Sequence, residues 1–120
     1  MTEQEMRELD CWIAENVMGF EHEFGTCQAK TENPCYWRDA ISNKSIAKVA
    51  YKPTTDPAAA MLVLEKCLQE TEHAECIYAG YMHGGGFLVG HEQLKIEGGA
   101  PTLPLAICLF ARQLFGKDAQ

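Results

Sequence analysis

The first 19 residues carry the apolar spacing of a half-buried helix. Apolar side chains recur at intervals of three and four, at Met6, Leu9, Trp12, Ile13 and Val17. Thr2 and Glu5 have the spacing of a capping box, in which a hydroxyl and a carboxylate satisfy the free amides at a helix start. Gly19 can adopt the left-handed conformation that ends a helix. The pattern therefore predicts a helix over residues 1–19.

Two further helices are predicted, over residues 56–72 and 102–116. Asp56 can accept hydrogen bonds from the free amides of the second helix, and Pro57 stands where its missing N–H has no cost. The second helix has so many apolar residues that we expect other elements to cover most of it. These residues are Met61, Leu62, Val63, Leu64, Cys67 and Leu68. The third helix is apolar on all sides over residues 105–111, so we expect it to be the most buried element.

Residues 76–97, between these two helices, predict a small antiparallel sheet. Three short segments are rich in aromatic and branched residues, namely Cys76–Tyr81, Phe87–Val89 and Gln93–Glu97. The glycine-containing gaps at 83–86 and 90–92 are too short for a parallel crossover, so they predict hairpins. The run Gly98–Pro101 is expected to end the sheet.

Residues 20–52 follow neither a helical nor a strand period. They predict a long loop with room for one short strand near Ile46, Val49 and Tyr51. Loops longer than about 12–15 residues in a compact domain are usually functional. This loop is therefore the first place to look for a site.

These elements together predict an α+β fold. We expect residues 1–120 to form a single domain, a small layered α/β sandwich of three helices with one short antiparallel sheet. The predicted order is helix, loop with an optional strand, helix, three strands, helix. A chain of 120 residues is long enough for one core and too short for two.

Several segments resemble the phage ABA sandwich domain, a family of bacteriophage and prophage proteins. The segments that carry the resemblance are Leu9–Gly19, Tyr51–Met61, Val63–Lys66, Gly84–Gly85 and Leu105–Cys108. The resemblance implies an α/β sandwich with helices flanking a sheet, and a phage origin. It implies no catalytic residues. The stretch 21–52 departs from the family, and it contains Cys27 and Cys35.

Charge and hydropathy exclude two classes of partner. Ten Lys and Arg against 17 Asp and Glu give a net charge of −7, which repels phosphate backbones, so direct binding of nucleic acid is not expected. No apolar run approaches the roughly 18–20 residues of a membrane span. The acidic first residues lack the pattern of a secretory signal, so we expect a cytoplasmic protein, in the host cytoplasm if it is encoded by a phage, with reduced thiols.

The loop holds the candidate metal ligands of the chain. His22, Cys27 and Cys35 could supply three zinc ligands, although their spacing lacks the close cysteine pair that is typical of structural zinc sites. The same loop could instead hold a cysteine nucleophile, with His22 as the base for Cys27. Three other cysteines fall on apolar faces and are predicted to be small core residues, namely Cys67, Cys76 and Cys108.

Catalytic motifs are incomplete in this sequence. The run His83–Gly86 has the form of the oxyanion turn of lipases and esterases, but the GxSxG nucleophile motif that this chemistry needs is absent. A hairpin turn is therefore the prediction for these residues, and we expect neither an enzyme nor a bound cofactor.

The resulting hypothesis is an accessory protein of a phage or prophage that binds a host or phage protein. We include a homodimer among the expected partners, because a small sheet exposes strand edges that can pair. Two alternatives stay open. One is a metal-binding or thiol-dependent protein that uses the loop 20–37. The other is an acidic mimic that occupies the DNA-binding surface of a host protein.

Overall fold

The computed structural model of the protein describes residues 1–23 and 36–116. Its helices are α1 (Glu3–Asn16), α2 (Pro57–Glu70) and α3 (Leu103–Gly116). Its strands are β1 (Glu21–Glu23), β2 (Tyr36–Asp39), β3 (Lys44–Ala47), β4 (Ile77–Tyr81), β5 (Phe87–His91) and β6 (Ile96–Ala100). The predicted α+β sandwich with three helices is confirmed. The described residues form two antiparallel sheets, however, in the orders β1-β2-β3 and β4-β5-β6, where the sequence predicted one.

The helix starts follow the predicted capping chemistry. The Glu5 amide donates a hydrogen bond to Thr2 Oγ1 at 3.1 Å, and the Thr2 amide donates to the Glu5 carboxylate at 3.4 Å. At α2, the Ala58 amide donates to Asp56 Oδ1 at 3.1 Å, and Pro57 is the first helical residue. Each cap satisfies amides that a helix start otherwise leaves unpaired, which is why both helices begin where the sequence places them.

The end of α1 turns the chain back onto the helix. Gly19 has φ 68°, the left-handed conformation that was predicted for it. The Phe20 amide then donates to the Ala14 carbonyl at 2.8 Å. This return lays Phe20 beside Ala14 in a small apolar cluster with Trp37 and Tyr51. The turn therefore connects α1 to the first sheet.

Helix α3 lies at the centre of the molecule, as its apolar pattern predicted. Its buried residues are Leu105, Ala106, Ile107, Cys108, Phe110 and Ala111. One side packs on β5 and β6, and the other sides pack on α1 and α2. Gly98 makes this approach possible, because a Cβ there would lie 2.5 Å from the Phe110 amide nitrogen and 2.6 Å from the Ala106 carbonyl oxygen.

The prediction of a long loop over residues 20–52 is wrong for β1 and β2, whereas the optional short strand near Ile46 is present as β3. The strands Glu21–Glu23, Tyr36–Asp39 and Lys44–Ala47 form the first sheet there, with Trp37 opposite His22 and Ile46. These strands have only three or four residues, and Trp37 is the one that is fully buried. A two-residue period cannot develop over so few positions, so the pattern gives no strand signal.

The β2–β3 turn carries its own local chemistry. The Ile41 amide donates to Asp39 Oδ1 at 3.0 Å, and the Ser42 hydroxyl donates to Asp39 Oδ2 at 2.9 Å. Asn43 then takes the left-handed conformation with φ 58°. Asp, Ser and Asn are the residues that favour such turns, because their short polar side chains hydrogen-bond to neighbouring backbone and side-chain groups.

The second sheet follows the predicted hairpins with longer strands. The amide of Met82 donates to the Gly86 carbonyl at 2.9 Å, and the three glycines of the turn, Gly84–Gly86, all have positive φ. Strand β5 continues to His91, where the sequence predicted an end at Val89. The predicted third strand, Gln93–Glu97, lies too early: β6 spans Ile96–Ala100, and the sheet ends within the expected run 98–101. Gly98 is tolerated in the strand because α3 occupies the space that a side chain would need.

Helix α2 is less covered than its sequence suggested. Ala60, Val63 and Cys67 are buried against α3. The opposite side exposes Met61 to 52% and Leu62 to 55%. The expectation that other elements cover most of α2 is therefore wrong for its outer face. Apolar residues alone do not define which side of a helix is buried when both sides are apolar.

In the described part of the chain, the helices are each 14 residues long, and none is long and apolar enough to cross a membrane.

Candidate functional site

The edge of the second sheet at β4 is the candidate site. Strand β4 pairs with β5 along its whole length, from Ile77 opposite His91 to Tyr81 opposite Phe87. Its other side pairs with no strand among residues 1–23 and 36–116. We call this side the β4 edge, comprising Ile77–Tyr81.

The hydrogen-bond pattern identifies which backbone groups the β4 edge presents. The Glu92 amide donates to the Cys76 carbonyl at 3.1 Å, and the Met82 amide donates to the Gly86 carbonyl at 2.9 Å. Because the bonds of an antiparallel pair involve alternate residues, the even-numbered residues of β4 face β5. The N–H and C=O groups of Ile77, Ala79 and Tyr81 therefore point away from the sheet.

The β4 edge lacks the features that usually prevent strand pairing. Natural sheets protect their edges with charged residues, proline, bulges or covering loops. The sequence Ile77–Tyr81 contains no charge and no proline, and its register with β5 has no bulge. Tyr81 is 72% exposed and Tyr78 is 40% exposed. This edge can therefore accept another strand.

The opposite edge of the same sheet is covered by a side chain. Gln113 on α3 places its amide group against the backbone of Glu97 in β6. Its Nε2 donates to the Glu97 carbonyl at 2.5 Å, and the Glu97 amide donates to Gln113 Oε1 at 3.4 Å. A primary amide can satisfy both groups in the way that a neighbouring strand would. The β6 edge is thus occupied at Glu97, whereas the β4 edge pairs with nothing in the part of the chain that the structure describes.

The two tyrosines of β4 are held by their own sheet. Tyr78 lies across Gly90 and donates from its hydroxyl to Glu97 Oε2 at 2.6 Å. This hydrogen bond to a carboxylate raises the pKa of Tyr78 above its ordinary value. Tyr81 packs on Phe87 with its ring centroid 5.2 Å away in an edge-to-face arrangement. Because both rings are already positioned, little side-chain freedom remains to be lost on binding.

His22, one of the three predicted zinc ligands, lies on β1 at the surface of the first sheet. Its Nε2 lies 3.2 Å from Glu15 Oε1, and its Nδ1 lies 2.7 Å from Lys48 Nζ. The ring covers Trp37 with its centroid 4.7 Å away, and Lys48 Nζ stands 4.3 Å from the centroid of a Trp37 ring. His22 and Lys48 therefore shield the buried tryptophan from solvent.

The other two predicted zinc ligands, Cys27 and Cys35, lie outside the described residues. No group of three His, Cys, Asp or Glu side chains within residues 1–23 and 36–116 is arranged to hold a metal ion. The zinc site at His22, Cys27 and Cys35 stays a prediction. Native mass spectrometry under reducing conditions, without chelator, would detect the added mass of the metal.

A groove lies between α1 and residues 48–52, the segment that precedes α2. Its volume is about 230 Å³, and its lining residues are Arg7, Asp10, Cys11, Trp37, Lys48, Val49, Tyr51 and Lys52. The Asp10 carboxylate accepts a hydrogen bond from the Thr54 amide at 2.9 Å. Burial raises the pKa of Asp10, an effect that the hydrogen bond from Thr54 opposes. The sequence patterns did not predict this groove, because its residues come from three separate segments of the chain.

The comparison with family models matches residues 11–111 to the phage ABA sandwich domain. The chain belongs to this family. The match covers most of the sequence and confirms the resemblance seen in it. Searches of curated proteins and of solved structures give no significant match to this phage ABA sandwich domain.

Burial disfavours the thiolate form of the core cysteines in the described part of this phage ABA sandwich domain. Burial raises the pKa of the Cys67 thiol to about 12, and burial also raises the pKa of Cys108. Both are fully buried, as predicted for small core residues, and Cys76 is half-buried beside β4. Cys11 is exposed on α1, and partial desolvation raises its pKa too. A thiol with a raised pKa is mostly protonated at neutral pH, so it is a poor nucleophile.

Sequence reasoning predicted β4 as a strand but missed its role as the open edge. The signal was present as an uncharged run, Ile77–Tyr81, in a chain with a net charge of −7. The cover on the β6 edge could not be found in the same way. Gln113 is 16 residues from Glu97 and reaches it through the packing of α3 on the sheet.

Proposed function

We propose that this phage ABA sandwich domain is an accessory protein that acts by binding protein, without catalysis, in the host cytoplasm. The β4 edge is the binding element, and the partner contributes an extended strand. In this mode of recognition, main-chain hydrogen bonds supply affinity and alternate side chains supply specificity.

The observation that carries the proposal is the contrast between the two edges of one sheet. Gln113 covers the backbone of Glu97 on β6, whereas Ile77, Ala79 and Tyr81 direct their backbone groups outward on β4. An edge that accepts a strand gains hydrogen bonds for groups that otherwise pair only with water.

The side chains of the β4 edge fit a protein partner better than a charged ligand. Tyr78 and Tyr81 are exposed aromatic residues, and aromatic residues are enriched at the centres of protein interfaces. No charged side chain lies within Ile77–Tyr81 to select an ion or a phosphate. The edge therefore favours a strand with apolar or aromatic side chains.

A capture experiment with two variants of Ala79 tests the proposal. Ala79 is exposed, so Ala79→Lys leaves the packing of the sheet unchanged and adds a charge at the centre of the edge. Ala79→Thr is the matched control, because threonine favours strands and carries no charge. Tagged protein is expressed in host cells during phage growth together with an untagged copy of itself, and the captured proteins are quantified.

We expect at least one protein, the untagged copy included among the candidates, to be captured by the wild type and by Ala79→Thr. Its amount should fall about tenfold with Ala79→Lys, which corresponds to about 1.4 kcal/mol of binding free energy. Circular dichroism of the purified variants checks that both are folded. Capture that is equal for the two variants would remove the β4 edge from the proposal.

A further inference from the structure

We infer that the strand bound by the β4 edge is β4 of a second copy of this chain, in an antiparallel arrangement centred on Ala79. This inference rests on the proposed function, because it names the partner of the same edge. The dimer joins two three-stranded sheets into one continuous sheet of six strands, with both α3 helices on the same face.

The positions of the outward backbone groups fit a two-fold axis at Ala79. Such an axis places Ala79 opposite Ala79 of the second copy, and Ile77 opposite Tyr81. These are the residues whose N–H and C=O groups point away from β5. Each such pair exchanges two hydrogen bonds in an antiparallel ladder. The symmetric arrangement therefore satisfies every outward group of Ile77–Tyr81 without a shift in register.

The side chains opposite one another are also complementary. On the face that carries α3, the Ile77 side chain meets the exposed Tyr81 ring of the second copy. On the outer face, Tyr78 lies opposite Gly80 of the second copy, while its ring stays over Gly90 of its own sheet. A Cβ on Gly80 would find no atom within 4 Å, so this face offers no obstruction to the second strand. An aromatic residue opposite a branched one, as Tyr81 is opposite Ile77, is a stabilising cross-strand pair.

Charge and topology favour a second copy over an endless assembly. Two chains of net charge −7 repel one another, and an uncharged strand is where two copies meet with the least repulsion. Because Gln113 covers the β6 edge at Glu97, the other edge of the joined sheet is obstructed at that residue. A two-fold contact at one open edge gives a closed dimer, whereas two open edges would permit a fibre.

The size of the contact determines the expected affinity. A pair of five-residue strands buries less than the roughly 1,200 Å² of a standard stable interface. We therefore expect a reversible dimer with a dissociation constant of about 1–100 μM. The equilibrium should respond measurably to a single substitution at its centre.

The test is sedimentation equilibrium of purified protein under reducing conditions, with three variants of Ala79. Ala79→Lys and Ala79→Glu each place like charges directly opposite one another across the two-fold axis, so each should weaken the dimer at least about tenfold. An equimolar mixture of these two variants places opposite charges there and should restore a dimer. Ala79→Thr should dimerise like the wild type.

Restoration by the mixture is the decisive result, because general damage to the fold would not be repaired by mixing. Two outcomes overturn the inference. One is a wild type that stays monomeric from about 1 μM to about 1 mM. The other is a dimer that persists in both charged variants.

The capture experiment distinguishes this failure from failure of the proposed function. If the wild type is monomeric but Ala79→Lys still abolishes capture of another protein, the edge binds that protein and the homodimer is rejected. If the wild type is monomeric and capture is unaffected, both are rejected.

Discussion

The two sheets of this phage ABA sandwich domain reach stability in different ways. The first sheet has strands of three and four residues, and it depends on one large buried side chain, Trp37. The second sheet has strands of five residues that pack on the central helix α3 through glycine and small residues. A buried cluster centred on Trp37 therefore supports the first sheet, whereas packing on α3, with a close backbone approach at Gly98, supports the second.

The edges of the two sheets differ in the charge that they carry. The first sheet ends in charged strands, with Glu21 and Glu23 on β1 and Lys44 on β3. Charges at an edge oppose pairing with another strand. The second sheet has an uncharged edge at β4 and a covered edge at β6. The comparison teaches that, among the described strands, β4 provides the one sheet edge that carries neither a charge nor a covering side chain.

Truncation of Trp37, the buried side chain of the first sheet, should have the largest effect on stability. Trp37 is 1% exposed, so Trp37→Ala leaves a large cavity and should lower the free energy of unfolding by about 4 kcal/mol. Urea denaturation measures this change. Ile41→Ala is the matched control in the same sheet, because Ile41 is 89% exposed and its loss should change stability by less than about 0.5 kcal/mol.

Amide hydrogen exchange tests whether the two sheets unfold separately in the Trp37→Ala variant. If the first sheet depends on Trp37 alone, the amides of β2 should lose protection in Trp37→Ala before those of β5 do. Equal loss of protection in both sheets would mean that they unfold as one unit.

A methyl group at the helix–sheet contact should have the next largest effect. The Cβ in Gly98→Ala would meet backbone atoms of α3 at 2.5 and 2.6 Å, so the helix must move. We expect a loss of about 3 kcal/mol, measured by thermal unfolding. Gly80→Ala adds the same methyl group to the same sheet where no atom lies within 4 Å, and it should leave stability nearly unchanged. An equal loss of stability at both positions would mean that the close contact of Gly98 with α3 is not the cause.

The helices and the second sheet were predictable from sequence because their signals are local. Thr2 with Glu5, and Asp56 with Pro57, satisfy the amides next to them along the chain, so short-range spacing was sufficient. The first sheet was not predictable in this way. Its stability comes from Trp37 packing with Phe20 and Tyr51, residues that are distant in sequence. The packing of Trp37 therefore stabilises strands in a segment where the local pattern predicts a loop.

The candidate site was predictable only in part for a similar reason. The uncharged run Ile77–Tyr81 identifies a strand, but sequence does not reveal which edge of a sheet stays open. That depends on Gln113 reaching Glu97 from α3, which requires the folded arrangement. The backbone groups that the β4 edge directs outward follow from the register with β5, which a single sequence does not fix.

Removal of the cover on β6 should have a moderate effect on stability and a qualitative effect on assembly. Gln113→Ala removes two hydrogen bonds to the Glu97 backbone and should cost about 1 kcal/mol. It also opens a second edge, so sedimentation should detect species larger than a dimer. The control is Gln69→Ala, an exposed glutamine on α2 that covers no edge. A Gln113→Ala protein that forms dimers and nothing larger would mean that the side chain does not limit assembly.

The smallest expected effect is that of Tyr78→Phe, which removes the hydrogen bond from the tyrosine hydroxyl to Glu97 Oε2. At pH 8 the loss should be about 0.5 kcal/mol, because the bond is at the surface. The same hydrogen bond raises the pKa of Tyr78 above its ordinary value of 10, so the protonated phenol is favoured in the folded state. The stabilisation is thus complete below pH 10 and disappears as the pH rises through the raised pKa. The thermal stabilities of wild type and variant should therefore converge in strongly alkaline solution, since the phenolate then repels the Glu97 carboxylate.

Tyr81→Phe serves as the control, because no hydrogen bond from its hydroxyl is formed among the described residues, and it should match the wild type at every pH. A pH-independent difference for Tyr78→Phe would assign its effect to ring packing over Gly90 instead of the hydrogen bond.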